Sequence, residues 1–292
     1  MILVTGAGGQ VGTELLARAA RHGHEAKGLV RADLDISDAD AVRAAVKAVN
    51  PSLIVNAAAY TAVDKAEEDS DAAYAINRDG PANLAAAAKD AGIPLIHIST
   101  DYVFDGSKDG PYLESDPVAP LGIYGASKEA GEEAVRAILA EHVIMRTSWV
   151  YAAHGGNFVK TMLRVGKDRD ELRVVADQFG APTSAGDIAD AILTIATRIK
   201  DGKTDGWGTY HFTAAGRTSW HGFAETIFVR AEKVWGRRPS VAAIPSSEYP
   251  TPAKRPTNSV LDCAKILAAF DVPRRPWQDG LDEVLDILLA EE

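Results

Sequence analysis

The sequence has a single cysteine, Cys263, among its 292 residues. An intrachain disulfide therefore cannot form, which fits a reducing compartment. No apolar run approaches the roughly 20 residues that a membrane-spanning helix needs. The opening residues MILVTGAGG are too short for the apolar core of a signal peptide and lack its basic start. We therefore expect a soluble, cytoplasmic protein.

Positive charge is also in short supply. Lys and Arg number 31 against 41 Asp and Glu, which gives a formal net charge of −10 at pH 7. Such a surface repels polyanions, so we expect no nucleic-acid partner and no anionic membrane partner. One anionic substrate in a local basic pocket is still compatible with this charge. The seven histidines are scattered, so we predict no metal-binding residues.

Short apolar runs alternate with Ala-rich stretches of helical spacing in the first half of the chain. The predicted strands are MILVTG, HEAKGLV, SLIVNAAA, PLIHIST and HVIMRTSWVY. The predicted helices between them are GQVGTELLARAARHG, SDADAVRAAVKAVNP, DAAYAINRDGPANLAAAAKDAG and YGASKEAGEEAVRAILAE. Strand and helix repeated in this way predict an α/β fold with a Rossmann-type, doubly wound parallel sheet.

The alternation becomes irregular after Tyr151. The later predicted elements are the helices NFVKTMLRVGK, SAGDIADAILTIATRIK, SWHGFAETIFVRAEKVW, CAKILAAF and PWQDGLDEVLDILLAEE, the strand GTYHFTAAG and the proline-rich loop IPSSEYPTPAKRPTNS. We predict a dinucleotide-binding domain of residues 1–150 and roughly 185–218. A smaller, discontinuous substrate domain would comprise residues 151–184 and 219–292, with a ligand in the crevice between the two.

Three glycines, Gly6, Gly9 and Gly12, are spaced G-x-x-G-x-x-G between the first predicted strand and the first predicted helix. Glycines here permit a tight turn and let a pyrophosphate approach the backbone N–H groups. A plain glycine-rich turn is the alternative, but the strand–turn–helix context favours dinucleotide binding.

The end of the second predicted strand bears on which nicotinamide cofactor is used. Binders of NAD usually carry an acidic residue there, which holds the ribose 2′-hydroxyl. In this chain Arg31 stands near that place, with Asp33 two residues later. Arginine pairs with a 2′-phosphate, so we predict NADPH, with NADH as the alternative.

Tyr124 and Lys128 lie four residues apart at the start of a predicted helix, so their side chains share one face. An ammonium beside a phenol stabilises the phenolate and lowers the tyrosine pKa. The residues STDYVF, from Ser99 to Phe104, end the fourth predicted strand, where polar side chains can hydrogen-bond a substrate oxygen. A solvated helix face and strand-end capping are the structural alternatives for these two patterns.

Together, the glycine motif, the later Ser-Thr pair and Y-x-x-x-K resemble the extended short-chain dehydrogenase/reductase superfamily. The blocks GGQVG, VNAAAYTAVDKAE, STDYVFDG, PLGIYGASKEAGE, RTSWVY, NFVKTM, DQFGAPT and RPTNSVLD resemble the signature blocks of the dTDP-4-dehydrorhamnose reductases. They follow the order of that family over nearly the whole chain.

This resemblance implies that NADPH or NADH reduces the 4-keto group of dTDP-4-dehydro-L-rhamnose to give dTDP-L-rhamnose. It makes Tyr124 the proton donor and Lys128 the residue that holds the nicotinamide ribose. Thr100 would hydrogen-bond the carbonyl oxygen, and Asp101 would lie close to the substrate. The partner would thus be a nucleotide-diphosphate keto-sugar, and a homodimer is one assembly that the resemblance allows.

The resemblance also implies further binding residues. Those for the cofactor are Gly9, Gln10 and Val11 at the pyrophosphate, Asp35 and Ile36 at the adenine, and Ala57, Ala58 and Ala59 at a strand end. Trp149 would line the sugar pocket, with a buried core position as its alternative. Arg255, and less so Lys254, would meet the substrate pyrophosphate, and a solvated loop pair is the alternative for these two residues.

Two alternatives to this function remain open. The regulatory subunit of methionine adenosyltransferase is similar to these reductases without being an enzyme, although the presence of Tyr124, Lys128 and Thr100 favours catalysis. A related nucleotide-sugar epimerase is the other, whereas Thr100–Asp101–Tyr102 lacks the T-D-E pattern of a dehydratase. Family members have been associated with Mg²⁺ at a subunit contact, to which the terminal Glu291 and Glu292 could contribute. Two exposed glutamates at a chain end are usually just solvated, so we assign no metal residues.

Overall fold

The structure, a computed structural model, describes residues 1–202 and 206–290. Its strands are β1 Ile2–Thr5, β2 Ala26–Leu29, β3 Leu53–Asn56, β4 Leu95–Thr100, β5 His142–Thr147, β6 Val150–Tyr151, β7 Glu171–Val175, β8 Phe179–Gly180, β9 Thr183–Ser184, β10 Gly208–His211, β11 Thr218–Ser219 and β12 Ser240–Ile244. Its α-helices are α1 Gln10–Arg18, α2 Ala39–Val49, α3 Val63–Ala66, α4 Ser70–Tyr74, α5 Gly80–Ala91, α6 Ile123–Ile138, α7 Phe158–Gly166, α8 Ala185–Lys200, α9 Trp220–Trp235, α10 Ala264–Phe270 and α11 Trp277–Ala290.

Six of these strands form one sheet in the order β10-β5-β4-β3-β1-β2, and every neighbouring pair is parallel. This confirms the predicted α/β fold with a doubly wound parallel sheet. Because the strands are parallel, the carboxyl ends of β1, β3, β4 and β5 meet at one edge. The predicted site residues at these strand ends therefore lie on the same side of the molecule.

Alternate residues of each central strand face opposite sides of the sheet, as strand geometry requires. One core contains Ile2 and Val4 of β1 and packs against α1, α8 and α10, whereas the other contains Leu3 and packs against α2, α5 and α6. Both faces of the sheet are thus covered by helices. A strand covered on both sides has to be apolar at successive positions, which explains the continuous apolar runs in the sequence.

A third core lies away from the sheet and is formed by α7, α9, α11 and strand β7. Strand β7 pairs in parallel with β12, and the sequence analysis predicted neither of these strands. Residues 261–272, in contrast, contribute apolar side chains to the first core of the main sheet. The proposed division into residues 1–150 with 185–218 and 151–184 with 219–292 stays a prediction.

Two predicted elements are divided in the structure. The run HVIMRTSWVY forms β5 and β6 because Trp149 between them has φ +50°, which no strand residue adopts. The long helix from Asp71 to Gly92 contains a π turn over Ala75–Asp79. Pro81 has no N–H to donate to the carbonyl of Asn77, four residues earlier. The π turn includes Asn77, so the regular α-helical pattern is interrupted where this hydrogen bond is missing.

Helix α6 is fixed to the sheet by the fully buried carboxylate of Glu132. Arg146 of β5 donates to it from Nε (2.8 Å) and Nη2 (2.6 Å), and Ser99 Oγ of β4 donates at 2.6 Å. Arg136 adds a bond of 3.0 Å from Nη1. Burial alone would raise the pKa of Glu132, but the hydrogen bonds and charge of Arg146 outweigh it and hold the pKa below its ordinary value.

We predict that Glu132→Ala lowers the free energy of unfolding by about 3–5 kcal/mol, because it leaves the buried guanidinium of Arg146 without its partner. Urea denaturation followed by circular dichroism measures this loss. The matched control is Glu133→Ala at the next, exposed position, where the change should be within about 0.5 kcal/mol. Equal effects of the two substitutions would contradict this role of Glu132.

Candidate functional site

The turn between β1 and α1 is shaped by its glycines. Gly6 has φ +69°, and a Cβ atom there would lie 2.5 Å from the backbone nitrogen of Ala58. A Cβ at Gly12 would lie 2.3 Å from the carbonyl oxygen of Gly6. Among the residues that the structure describes, no side chain caps the amino end of α1 at Gly9, so the first backbone N–H groups of this helix are free to bind an anion.

A cavity of about 310 Å³ opens beside this turn, and we call it the glycine-turn cavity. It is lined by Gly6, Gly8, Gly9, Val30, Arg31, Leu34, Asp35, Ile36, Ala57, Ala58, Ala59 and Ile76. Eight of these were predicted as cofactor residues. Gly8 was not, and neither were Val30, Leu34 and Ile76. Their apolar side chains gave no signal that distinguishes a cavity wall from an ordinary core.

Besides Tyr124 and Lys128, three predicted cofactor residues do not line this cavity. Val11 packs in the first core with 9% exposure. Gly12 lies against the backbone of Gly6 and Ala7 in the turn. The side-chain oxygen of Gln10 accepts a hydrogen bond of 3.0 Å from Asn157 Nδ2. The backbone N–H groups of all three are in the first turn of α1, where a pyrophosphate would be bound through backbone rather than side chains.

The charged residues after β2 have different partners. Asp33 accepts from the backbone N–H of Val30 at 3.1 Å. Asp35 accepts from Ser37 at its hydroxyl (2.7 Å) and its backbone N–H (3.0 Å), and these bonds lower the pKa of Asp35. Exposed Arg31 makes no hydrogen bond to any described residue. The two carboxylates thus accept hydrogen bonds locally, and the guanidinium of Arg31 at the cavity wall acts on Asp35 through its charge.

Tyr124 and Lys128 project from the first turns of α6, which begins after Gly122. The backbone N–H of Ile123 in that first turn donates to Glu67 Oε1 at 2.9 Å. Lys128 is buried, and its Nζ donates to the carbonyl of Ile98 in β4 at 2.7 Å. Burial lowers the pKa of Lys128 to about 8, although the charge of Glu132 opposes this.

The expected lowering of the Tyr124 pKa by Lys128 is wrong for this structure. Burial raises the pKa of Tyr124 to about 12, with a smaller opposing effect of the hydrogen bond to Thr100. The ammonium of Lys128 donates to the carbonyl of Ile98. It is not among the groups that shift the pKa of Tyr124. The phenol therefore keeps its proton at neutral pH, which is the form that a proton donor needs.

Thr100 ends β4 next to this phenol. Its hydroxyl donates to Asp101 Oδ1 at 3.0 Å and accepts from the backbone N–H of Tyr102 at 3.2 Å. Asp101 is buried, its Oδ2 has no partner among the described residues, and burial raises the pKa of Asp101 to about 6. The ring of Tyr102 contacts Tyr124 edge to face, with centroids 5.5 Å apart.

A second cavity, of about 340 Å³, has Tyr102 in its wall, and we call it the Tyr102 cavity. It is lined by Asp64, Tyr102, Phe158, Thr161, Met162, Arg173, Val174, Val175, Gln178, Trp220, Tyr249, Thr251 and Arg255. Arg255 was predicted here, but Phe158, Trp220 and Tyr249 were not assigned. They come from α7, α9 and the proline-rich loop, and only folding brings these segments together.

Arg255 is held in this cavity by Asp64, to which Nη1 and Nη2 donate at 2.7 and 2.8 Å. Lys254 is exposed. Trp149 does not line the cavity, but its ring stacks on Trp220, which does, with centroids 3.6 Å apart. The positive φ of Trp149 turns the chain between β5 and β6 at this stack.

The described residues, 1–202 and 206–290, contain no group of three or more His, Cys, Asp or Glu that could hold a metal ion. The candidates Glu291 and Glu292 lie outside these residues, so Mg²⁺ has no support here. Within the same ranges, no helix has the length and apolar character needed to cross a membrane.

Comparison with known proteins relates the whole chain to one group. A family model described as RmlD substrate binding domain matches residues 1–290. A dTDP-4-dehydrorhamnose reductase of Sinorhizobium fredii is 45% identical over 291 residues, which cover 99% of this chain and 98% of the relative. One from Escherichia coli (strain K12) is 44% identical, with coverage of 99% and 98%. The crystal structure of such a reductase from Bacillus anthracis str. Ames, in complex with NADP, superposes with a TM-score of 0.89 at 38% identity over 98% of each chain.

We predict that Arg31→Ala lowers kcat/KM for NADPH roughly 10- to 100-fold and changes that for NADH little, because a charge-assisted contact to the 2′-phosphate contributes about 1.5–3 kcal/mol. Initial-rate assays with both cofactors measure this difference. Arg43→Ala, another exposed arginine, is the control and should leave both values unchanged. Equal losses with NADPH and NADH would remove Arg31 from the 2′-phosphate.

Proposed function

The chain belongs to the dTDP-4-dehydrorhamnose reductase family, and on that premise we propose that it reduces the 4-keto group of dTDP-4-dehydro-L-rhamnose with NADPH. The product would be dTDP-L-rhamnose. The observation that carries the proposal is the arrangement of Tyr124, Thr100 and Lys128 at the carboxyl end of β4, with a cavity at each of two neighbouring strand ends. Ala57–Ala59 follow β3 in the glycine-turn cavity, and Tyr102 follows β4 in the Tyr102 cavity.

The glycine-turn cavity fits a nicotinamide dinucleotide. A Cβ at Gly6 would collide with the backbone of Ala57 and Ala58, after β3, and a Cβ at Gly12 would collide with the backbone of the turn. The two glycines thus let the turn lie close to the end of β3 and to α1, whose free N–H groups would hold a pyrophosphate. Arg31, with no hydrogen bond to a described residue, would meet the 2′-phosphate, and Lys128 would meet the nicotinamide ribose. When bound, the reduced nicotinamide supplies the hydride for the carbonyl carbon.

Tyr124 would supply the proton. Since burial raises its pKa to about 12, the phenol is fully protonated at pH 7 and can donate to an alkoxide, which is a much stronger base.

Thr100 would hold the carbonyl oxygen at the same time as Tyr124. Its hydroxyl donates to Asp101 in the structure, so it can turn to the substrate when that carboxyl is protonated and acts as donor in its place. The raised pKa of Asp101, about 6, makes the protonated form accessible near neutrality. Donors that face a developing oxyanion typically contribute on the order of 10²–10³ in rate.

The Tyr102 cavity would receive the nucleotide sugar. Its aromatic side chains Phe158, Trp220 and Tyr249 offer faces on which a base or sugar ring can stack. Arg255 uses Nη1 and Nη2 on Asp64, and its Nε makes no hydrogen bond to a described residue. A substrate phosphate would therefore approach Arg255 from its Nε side.

We predict that Tyr124→Phe lowers kcat for reduction of the keto-sugar about 10²–10⁴-fold, because it removes only the transferable proton. The dissociation constant for NADPH, measured by calorimetry, should barely change. Tyr74→Phe is the same substitution on α4 and should leave kcat unaltered.

The proposed mechanism is wrong if Tyr124→Phe turns over near the wild-type rate when chemistry limits turnover. A panel of nucleotide 4-keto-6-deoxysugars, assayed with the unaltered protein by oxidation of NADPH, tests the substrate separately from the mechanism.

A further inference from the structure

Four buried polar side chains, the last of which is Lys128, form a continuous line. Thr5 Oγ1 donates to Asn56 Oδ1 at 2.8 Å, Asn56 Nδ2 lies 3.0 Å from His97 Nδ1, and His97 Nε2 lies 3.5 Å from Lys128 Nζ. Thr5, Asn56 and His97 are register partners on the neighbouring strands β1, β3 and β4. None of the four side chains is more than 2% exposed, so each has to find its hydrogen bonds within the protein.

The directions of these hydrogen bonds can be assigned from one fixed donor. The backbone N–H of Ala58 can only donate, and it donates to Asn56 Oδ1 at 3.1 Å. The amide nitrogen of Asn56 therefore faces His97, and since this nitrogen has protons but no acceptor capacity, His97 Nδ1 must accept. The proton of the neutral imidazole is then on Nε2.

The imidazole is neutral because of where it lies. Burial, with smaller effects of the charges of Lys128 and His142, lowers the pKa of His97 well below its ordinary value. His142 is on the neighbouring strand β5, and its own pKa is also lowered by burial. No carboxylate among the described residues bonds to His97, so nothing offsets the cost of an imidazolium at this position.

The Nε2–H group of His97 consequently faces Lys128, which in its ammonium form has three protons and no lone pair. The ammonium of Lys128 and the Nε2–H group of His97 are therefore two donors that face each other. The carbonyl of Ile98 accepts a hydrogen bond from the same ammonium in another direction. An uncharged amine could accept the Nε2–H bond. The charge of Glu132, one turn further along α6, acts in the opposite direction and favours the ammonium.

We propose that His97 is a positioning residue that acts through Lys128. Its Nε2–H tautomer, set by Asn56, weakens the hold of the lysine on its proton, so that Lys128 can lose and regain a proton during turnover. This proposal rests on the role of Lys128 in the proposed function. The orientation of Asn56 on β3 thereby sets the proton affinity of Lys128 on α6.

The first test is the tautomer of His97 in the unaltered, full-length protein. Nitrogen-15 chemical shifts distinguish the two neutral forms of histidine and the imidazolium without any assay of activity. We expect the Nε2–H tautomer at every pH from about 6 to 9. This range includes the ordinary histidine pKa of about 6.5, near which a solvent-exposed imidazole would change its charge. An Nδ1–H tautomer or an imidazolium would overturn the proposal.

The second test is the pKa of Lys128, followed by the carbon-13 shift of its Cε and assigned by the loss of that signal in Lys128→Met. His97→Asn retains an amide at the Nδ1 position and removes the Nε2–H group. We expect the pKa of Lys128 to rise by roughly half to one unit, which corresponds to one hydrogen bond. The alkaline limb of the kcat/KM profile should move upward by the same amount.

The control is His142→Asn, the same substitution of a buried histidine on the adjacent strand, which should leave the pKa of Lys128 nearly unchanged. An unchanged pKa in folded His97→Asn, or equal shifts in both variants, would contradict the role of His97. If His97→Asn does not fold, the tautomer measurement decides the proposal. If the unaltered protein reduces no keto-sugar, the proposed function fails, and the lysine titration still gives an independent answer on His97.

Discussion

The buried carboxylate of Glu132 is the interaction on which the arrangement of the site depends. Tyr124, Lys128 and Glu132 lie four residues apart, so they form one stripe along α6. Glu132 binds Ser99, the neighbour of Thr100, and Arg146 on the next strand. The same contacts that anchor the helix therefore set the position of the phenol relative to the threonine hydroxyl that would share its carbonyl oxygen.

Burial and hydrogen-bond partners together determine the protonation state of each group along this stripe. Burial raises the pKa of Tyr124 to about 12 and lowers that of Lys128 to about 8. The carboxylate of Glu132 accepts several hydrogen bonds, and its pKa is lowered in spite of burial. The helix thus carries a neutral acid, a weakly held cation and a stable anion in succession, and this difference follows from the hydrogen-bond partners of each residue.

Much of this arrangement could be predicted from sequence, because it follows from local periodicity. The strand–helix alternation gave the parallel sheet, and the glycine spacing with Arg31 identified one wall of a cavity. Asp35 and Ala57 in the same wall came only from the family resemblance. The strands β7 and β12 were missed because their pairing joins segments about 70 residues apart. The pKa of Tyr124 was predicted in the wrong direction because spacing on a helix does not reveal how deeply a side chain is buried.

The proposed function requires that the chain deliver a hydride to carbon and a proton to oxygen at the same keto group. The most direct measurement uses dTDP-4-dehydro-L-rhamnose and NADPH deuterated at the transferable position of the nicotinamide, with the product analysed by NMR and mass spectrometry. The account predicts dTDP-L-rhamnose with one deuterium, located at carbon 4 of the sugar. Recovery of unreduced keto-sugar, or deuterium at any other carbon, would contradict it.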